Sequence, residues 1–149
     1  MRAVVQRVRD CTVTVSGRTT GHIHAGLLVY LGIGKSDSSR DVRPLCDKII
    51  TLRIFPDSDG RMNLSVIDTA GSLLVVSQFT LFGDAREGRR PSYSSAAEPG
   101  TARVLYEEVL ATLRLTGIEV ASGEFQALMD VTYTNVGPVT ILLDSEKRF

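Results

Sequence analysis

Gly26-Leu27-Leu28-Val29-Tyr30-Leu31-Gly32-Ile33 is apolar on both faces of an extended chain. A strand of that kind is stable only where both faces are covered, so it predicts the centre of a sheet. Working outward, Ser72 to Phe82 is the longest strand candidate. Leu73, Val75, Ser77, Phe79 and Leu81 alternate with Leu74, Val76, Gln78, Thr80 and Phe82. Upstream, Cys11, Val13 and Val15 alternate with Thr12, Thr14 and Ser16, the pattern of a half-buried strand. Ala3 to Val8 reads as a strand before it. Ser16-Gly17-Arg18 reads as a turn, with a short strand at Thr20 to His24. Further strands are predicted at Met62–Val66, Ile118–Ala121, Leu128–Thr134 and Val139–Leu143, with Asn135 to Pro138 as a turn. Val42, Leu45, Cys46, Ile49 and Arg53 recur at helical spacing, with Asp41 as N-cap and Pro44 in the first turn. A second helix carries Ala102, Leu105, Tyr106, Val109 and Leu113 on one face and ends near Gly117. The fold class is therefore α/β (mixed α and β). A strand-rich, barrel-like mixed sheet carries two main helices on one side, in a single domain over residues 1–149.

Composition narrows the functions. The chain is 43% hydrophobic and 23% charged, which suits a globular domain and excludes a disordered one. Lys+Arg and Asp+Glu are 17 each, so the net charge is zero and any RNA contact must come from a local patch. With no Trp and 6% aromatics, a surface that stacks many bases is not expected. Two cysteines make no disulfide scaffold. The charged start, without an apolar run, is unlike a signal peptide, and no stretch is apolar enough to span a bilayer. A cytoplasmic protein with reduced thiols and no membrane partner is expected.

Few residues offer chemistry. His22 and His24 share a strand face, but no third ligand stands near them, so they read as surface histidines. Cys11 and Cys46 lie on apolar faces without a basic neighbour and read as buried small hydrophobes. Asp57-Ser58-Asp59-Gly60 begins like a calcium loop, but its twelfth position is Asp68 rather than Glu, so it reads as a turn. Gly83 to Gly100 is a long loop holding Arg86, Arg89 and Arg90, a basic cluster that fits either phosphate or solvent. Ser77 and Gln78 interrupt an apolar strand, which implies a structural hydrogen bond or a site. Thr80 has no neighbouring base to activate it.

Taken together, these motifs resemble the D-aminoacyl-tRNA deacylase family, also called D-tyrosyl-tRNA deacylases. Ser77-Gln78-Phe79-Thr80-Leu81 matches the family's Ser-Gln-x-x-Leu, and Gly137-Pro138-Val139-Thr140 matches its Gly-Pro-x-Thr. Val5-Gln6-Arg7-Val8, Gly26-Leu27-Leu28-Val29, Leu52-Arg53-Ile54-Phe55, Arg61-Met62-Asn63 and Gly88-Arg89-Arg90-Pro91-Ser92 continue the likeness along the whole chain. Val136 stands where the family usually has Asp, and Tyr93 where it tends to have Phe. The resemblance implies hydrolysis of the ester of D-aminoacyl-tRNA, and of glycyl-tRNA mischarged on tRNA(Ala), with no cofactor and no metal. It places catalysis at Ser77, Gln78, Phe79 and Thr80, with Phe125, Met129 and Ala102 lining the pocket for the terminal adenosine. It further implies a homodimer in which a cis Gly137-Pro138 of one subunit enters the other's pocket, and Arg7 holds that motif across the interface. The partner is the 3′ acceptor end of aminoacyl-tRNA, not DNA, and Arg86, Arg89 and Arg90 become candidates for tRNA-backbone contacts. Competing readings are a non-catalytic RNA-binding module, a related deacylase for mischarged L-alanine with a trans Gly-Pro, and a small-ester hydrolase using Ser77 or Thr80.

Overall fold

In the computed structural model, which describes residues 1–148, the chain opens on one long hairpin. Strands β1 (Arg2–Val15) and β2 (Arg18–Gly32) pair antiparallel from Arg2 opposite Gly32 to Val15 opposite Arg18. Each absorbs two of the strands expected from the sequence. The break in alternation that separated them is a bend, not an end: Asp10 turns through φ 51° and Gly26 through φ 149°. The bend brings Cys11, Val13 and Ile23 of the outer half into one buried cluster with Leu28, Leu74 and Val76. That fold-back covers the second face of the central strand and gives the sheet its barrel-like curl.

Helix α1 (Ser39–Thr51) follows, then a two-stranded ribbon of β3 (Phe55–Pro56) and β4 (Met62–Leu64), then β5 (Ser72–Ser77). Helix α2 (Pro99–Arg114), β6 (Val120–Ser122) and β7 (Asp130–Asp144) complete the chain. The main sheet runs β6-β5-β2-β1-β7, with β5 parallel to β2 and β6 parallel to β5. Parallel neighbours require crossovers, and α1 and α2 are those crossovers. Both step the same way across the sheet, so the common right-handed sense puts both on the same face. There Leu45, Ile49, Leu105, Val109 and Leu113 join Val5, Leu27, Val29, Leu31, Leu73 and Val75 in the larger core.

Five expectations are corrected. Helix α1 is capped by Ser38, not Asp41. The Asp41 carboxylate instead accepts the Ser38 N–H at 2.9 Å from the third helical position, which puts Pro44 one turn deeper, on the exposed side. Strand β5 ends at Ser77, and Phe79–Phe82 is a 3-10 turn. The expected strand at Ile118–Ala121 forms at Val120–Ser122, and that at Met62–Val66 shortens to Met62–Leu64. The turn expected at Asn135–Pro138 does not separate two strands. Strand β7 runs through it as a bulge: Gln6 pairs with Thr140 and Val8 with Asn135, so residues 136–139 all stand opposite Arg7. Pro138 supplies no N–H for the ladder, which is why the extra residues collect there.

Gly26 is where the hairpin bends and where β5 begins to pair. A Cβ on it would lie 1.9 Å from the Ser72 carbonyl oxygen, at a φ that L side chains rarely adopt. Gly26→Ala is expected to lower the unfolding free energy by at least about 2 kcal/mol in urea titration. A loss within about 0.5 kcal/mol of zero would show that the bend is not constrained by that contact.

Candidate active site

The β2–β5 ladder stops where the Gln78 N–H donates to the Leu31 carbonyl at 2.8 Å. Beyond it β2 is ending and β6 is only three residues long, so nothing remains for Phe79 to pair with. The chain coils instead, and a cavity of about 670 Å³ opens at the carboxyl ends of β2 and β5. Carboxyl ends of parallel strands are where open α/β sheets bind ligands. Ser77, Gln78 and Phe79 form one wall, Ala102 and Tyr106 of α2 another, and Phe125 and Met129 a third. Six of the expected site residues therefore meet here. Thr80 is outside the lining but tied to it, because Gln78 Nε2 donates to Thr80 Oγ1.

Sequence reading marked Tyr106 only as a core position. Its ring is buried, yet its hydroxyl donates to the Val75 carbonyl at 3.0 Å, fixing α2 to β5 beneath the cavity. Burial raises the phenol above its usual range. The Phe125 ring lies 5.6 Å from Tyr106, with the Arg103 guanidinium 4.9 Å over it, and Phe79 meets Tyr93 edge-on at 5.0 Å. The only signal for the Tyr106 bond was chemical: a buried Tyr needs a partner for its hydroxyl. Glu98, which the sequence did not single out, is the one carboxylate on the lining, and the lining holds no His, Lys, Arg or Cys. Neither Ser77 nor Thr80 has an activating base there. The backbone N–H groups of Phe79 and Thr80, at the start of the 3-10 turn, find no acceptor among the described residues.

Gly137, Pro138 and Arg7 lie elsewhere, on β1 and β7. The Gly137–Pro138 peptide is cis, and both residues are exposed. Arg7 Nε donates to the Val136 carbonyl at 3.2 Å and Arg7 Nη1 to the Ile54 carbonyl at 2.6 Å. This hold on the bulge is made within one chain, where the resemblance implied one across an interface. It uses the backbone of residue 136, so Val in place of the usual Asp leaves it intact. In the long loop, Arg86 donates to Asp84 at 2.9 Å, and that hydrogen bond holds the Asp84 carboxyl well below the usual range. Arg89 and Arg90 are exposed without a partner among the described residues.

A preformed, largely apolar cavity at the ends of parallel strands, edged by unpaired backbone donors, is the kind of site at which α/β enzymes bind small ligands. Residues 4–144 match the family model for D-Tyr-tRNA(Tyr) deacylase. The D-aminoacyl-tRNA deacylase of Thermosipho africanus is 55% identical over 149 residues and that of Syntrophobacter fumaroxidans 56%, each covering all of both chains. A solved structure of a c-Myc DNA Unwinding Element Binding Protein is 38% identical with a TM-score of 0.91, over 97% of this chain and 98% of that one. A probable eukaryotic D-amino acid tRNA deacylase, 17% identical over 95% of this chain and 97% of its own, shares the fold at a TM-score of 0.81. The chain belongs to the D-Tyr-tRNA(Tyr) deacylase family, whose members are hydrolases.

The remaining candidates take the plainer reading. His22 and His24 are exposed, their rings edge-to-face at 4.7 Å, and the described residues hold no cluster of three metal ligands. Asp57 Oδ1 accepts the N–H groups of Asp59 and Arg61 at 3.0 Å each, closing the β3–β4 turn. Burial pushes the Cys11 thiol up to about 11 and the Cys46 thiol up to about 12, from an ordinary 9.0. The native state thus favours the protonated thiols. Their contribution to stability is complete below pH 9, where unfolded thiols are also protonated, and is lost as pH rises through the folded values. At pH 8 the folded protein is expected to leave an aromatic disulfide reagent unreacted over minutes, with both thiols titrating once denaturant is added. Prompt reaction of either thiol in the folded state would contradict its burial.

Proposed function

We propose that this chain, as a homodimer in the cytoplasm, hydrolyses the ester joining a D-amino acid or glycine to the terminal ribose of tRNA and spares L-aminoacyl esters. The observation that carries this reading is a separation. Gly137 and Pro138 are exposed and do not line their own chain's cavity, while Phe79 and Leu128 at that cavity stand 59% and 93% exposed. A second copy would cover those apolar side chains and supply the Gly137–Pro138 wall. No helix among the described residues is long and apolar enough to cross a membrane, which fits a tRNA-handling role in the cytoplasm.

In this mechanism the terminal adenosine rests against Phe125, Met129 and Ala102, and the aminoacyl group reaches Ser77 to Phe79. Water attacks the ester carbonyl carbon, the bond to the ribose oxygen breaks, and the proton passes to that oxygen, leaving free amino acid and tRNA. The unpaired N–H groups of Phe79 and Thr80 stabilise the developing oxyanion, a donor of that kind contributing about 3–4 kcal/mol. Gln78 and Thr80 position the turn; Thr80 is not the nucleophile, for want of a base. An L side chain is driven against the backbone carbonyls of the Gly137–Pro138 segment, whereas a D side chain or the hydrogen of glycine points away. Discrimination of ~10⁴ corresponds to about 5.5 kcal/mol, within reach of a clash with backbone that cannot rotate aside.

Deacylation of D-Tyr-tRNA, L-Tyr-tRNA and Gly-tRNA(Ala) tests the reading directly. Wild type should release D-Tyr and glycine and spare L-Tyr. A Cβ on Gly137 would sit 2.9 Å from both Arg7 Nη2 and Val139 Cγ2 at φ +122°, so Gly137→Ala must shift the segment. It should admit L-Tyr-tRNA as a substrate. A Gly137→Ala enzyme with wild-type behaviour on both tyrosyl esters would remove the segment from the filter.

The long loop is assigned to the tRNA backbone, with Arg89 and Arg90 carrying the contact and Arg86 largely neutralised by Asp84. Replacing Arg89 and Arg90 by Ala should lower the slope of log affinity against log salt by roughly 1.5–2. Arg86→Ala should change it by less. An unchanged slope in the double variant would return these arginines to solvent.

A further inference from the structure

The bulge opposite Arg7 has two halves, and Arg7 secures only the first, at the Val136 carbonyl. Pro138 has no N–H to donate, so the second half must be held from Val139 and Thr140. Asn135 Oδ1 accepts the Val139 N–H at 3.2 Å, taking the place of the strand partner that the register skip removes. Asn135 Nδ2 donates to Thr140 Oγ1 at 3.2 Å, joining one end of the bulge to the other. From the neighbouring strand, Gln6 Nε2 donates to the same oxygen at 3.0 Å. Gln6 Oε1, meanwhile, is buried with no partner among the described residues. An unpaired buried acceptor is unfavourable, so this amide is not placed for its own stability; its one bond is the one to Thr140.

We propose that Asn135, Thr140 and Gln6 form a side-chain clamp that sets the position of the Gly137–Pro138 segment, making them specificity-determining positioning residues for a reaction none of them touches. The inference rests on the function proposed above. Opening the clamp lets the segment recede, so an L side chain is no longer refused, while the cavity at the end of β5, which catalyses, is untouched.

The test pairs kinetics with backbone amide exchange in Asn135→Ala, Thr140→Val and Thr140→Ser. Asn135→Ala and Thr140→Val should keep D-Tyr-tRNA turnover within about threefold, while L-Tyr-tRNA hydrolysis rises roughly tenfold, the scale set by one or two neutral hydrogen bonds. Thr140→Ser, which keeps the hydroxyl, should retain the wild-type ratio. In Asn135→Ala the Val139 amide should exchange faster while Val5 and Val29 in the core stay protected. L-Tyr-tRNA hydrolysis that stays at the wild-type level overturns the specificity role, whether or not Val139 loosens. D and L rates that fall together with the melting temperature also overturn it, reducing the network to a folding role. If the wild type fails on D-Tyr-tRNA, the function reading falls, and Val139 exchange in Asn135→Ala still decides the clamp: accelerated exchange upholds it and unchanged exchange refutes it.

Discussion

The parallel ladder between β2 and β5 closes on the bond from the Gln78 N–H to the Leu31 carbonyl, and the cavity exists because the ladder stops there. Continued pairing on both sides of β5 would carry Phe79 and Thr80 into the sheet, with the Phe79 N–H donating toward β6 and the Thr80 N–H toward β2. The stop is set by lengths. Strand β2 ends at Gly32, and β6, on the other side of β5, pairs only from Val120 to Ser122. The polar pair Ser77-Gln78 thus falls where the strand gives out, not in its apolar middle. The interior beneath is shut by Tyr106, whose hydroxyl is bound to β5 itself. The catalytic wall proposed here, made of backbone at a strand end, would need no ionisable side chain, in keeping with a lining that offers only Glu98 as a carboxylate.

The second feature follows from a different mismatch. Strand β7 matches β1 residue for residue from Arg2 to Gln6, then four of its residues face one. An insertion of that size would ordinarily be a loose loop. Here it is held from below by Arg7, which also reaches the segment after α1 at the Ile54 carbonyl, so the larger core and the bulge share one guanidinium. The feature that the proposed function uses for chirality is therefore held by contacts from β1, β7 and the segment after α1, none of them with the cavity on the same chain.

Much of the architecture was legible because burial writes itself into alternation. The two-faced apolar run at Gly26–Ile33 marked the central strand, and the 3.6-residue spacing found both helices with their buried faces. What misled was punctuation. The gap after Val8 that holds Asp10 and the start of a new strand at Gly26 read as breaks between strands, yet both are bends inside continuous pairing, since a chain can turn sharply without leaving its partner. Asn135-Val136-Gly137-Pro138 has turn chemistry and makes a bulge, because the choice depends on whether residues on both sides pair with the same strand, which composition does not encode. Phe79–Phe82 has strand composition and coils, because its would-be partners are too short. Within the site, Ser77 and Gln78 were visible as polar intrusions. Glu98 and the Tyr106 hydroxyl bond were not, because each depends on a contact between distant segments.

The zero net charge bears on how such a site would engage RNA. A basic surface would hold any RNA nonspecifically, and an editing enzyme gains nothing by lingering on correctly charged tRNA. With Arg86 neutralised by Asp84 and only Arg89 and Arg90 free on that loop, the backbone contribution is small, so in the proposed function recognition would fall to the apolar cavity and the terminal nucleoside assigned to it. That division suits the proposed chemistry. Under that proposal the moiety shared by every aminoacyl-tRNA would do the binding, and rejection would be left to a backbone wall that is indifferent to which side chain arrives and sensitive only to its hand.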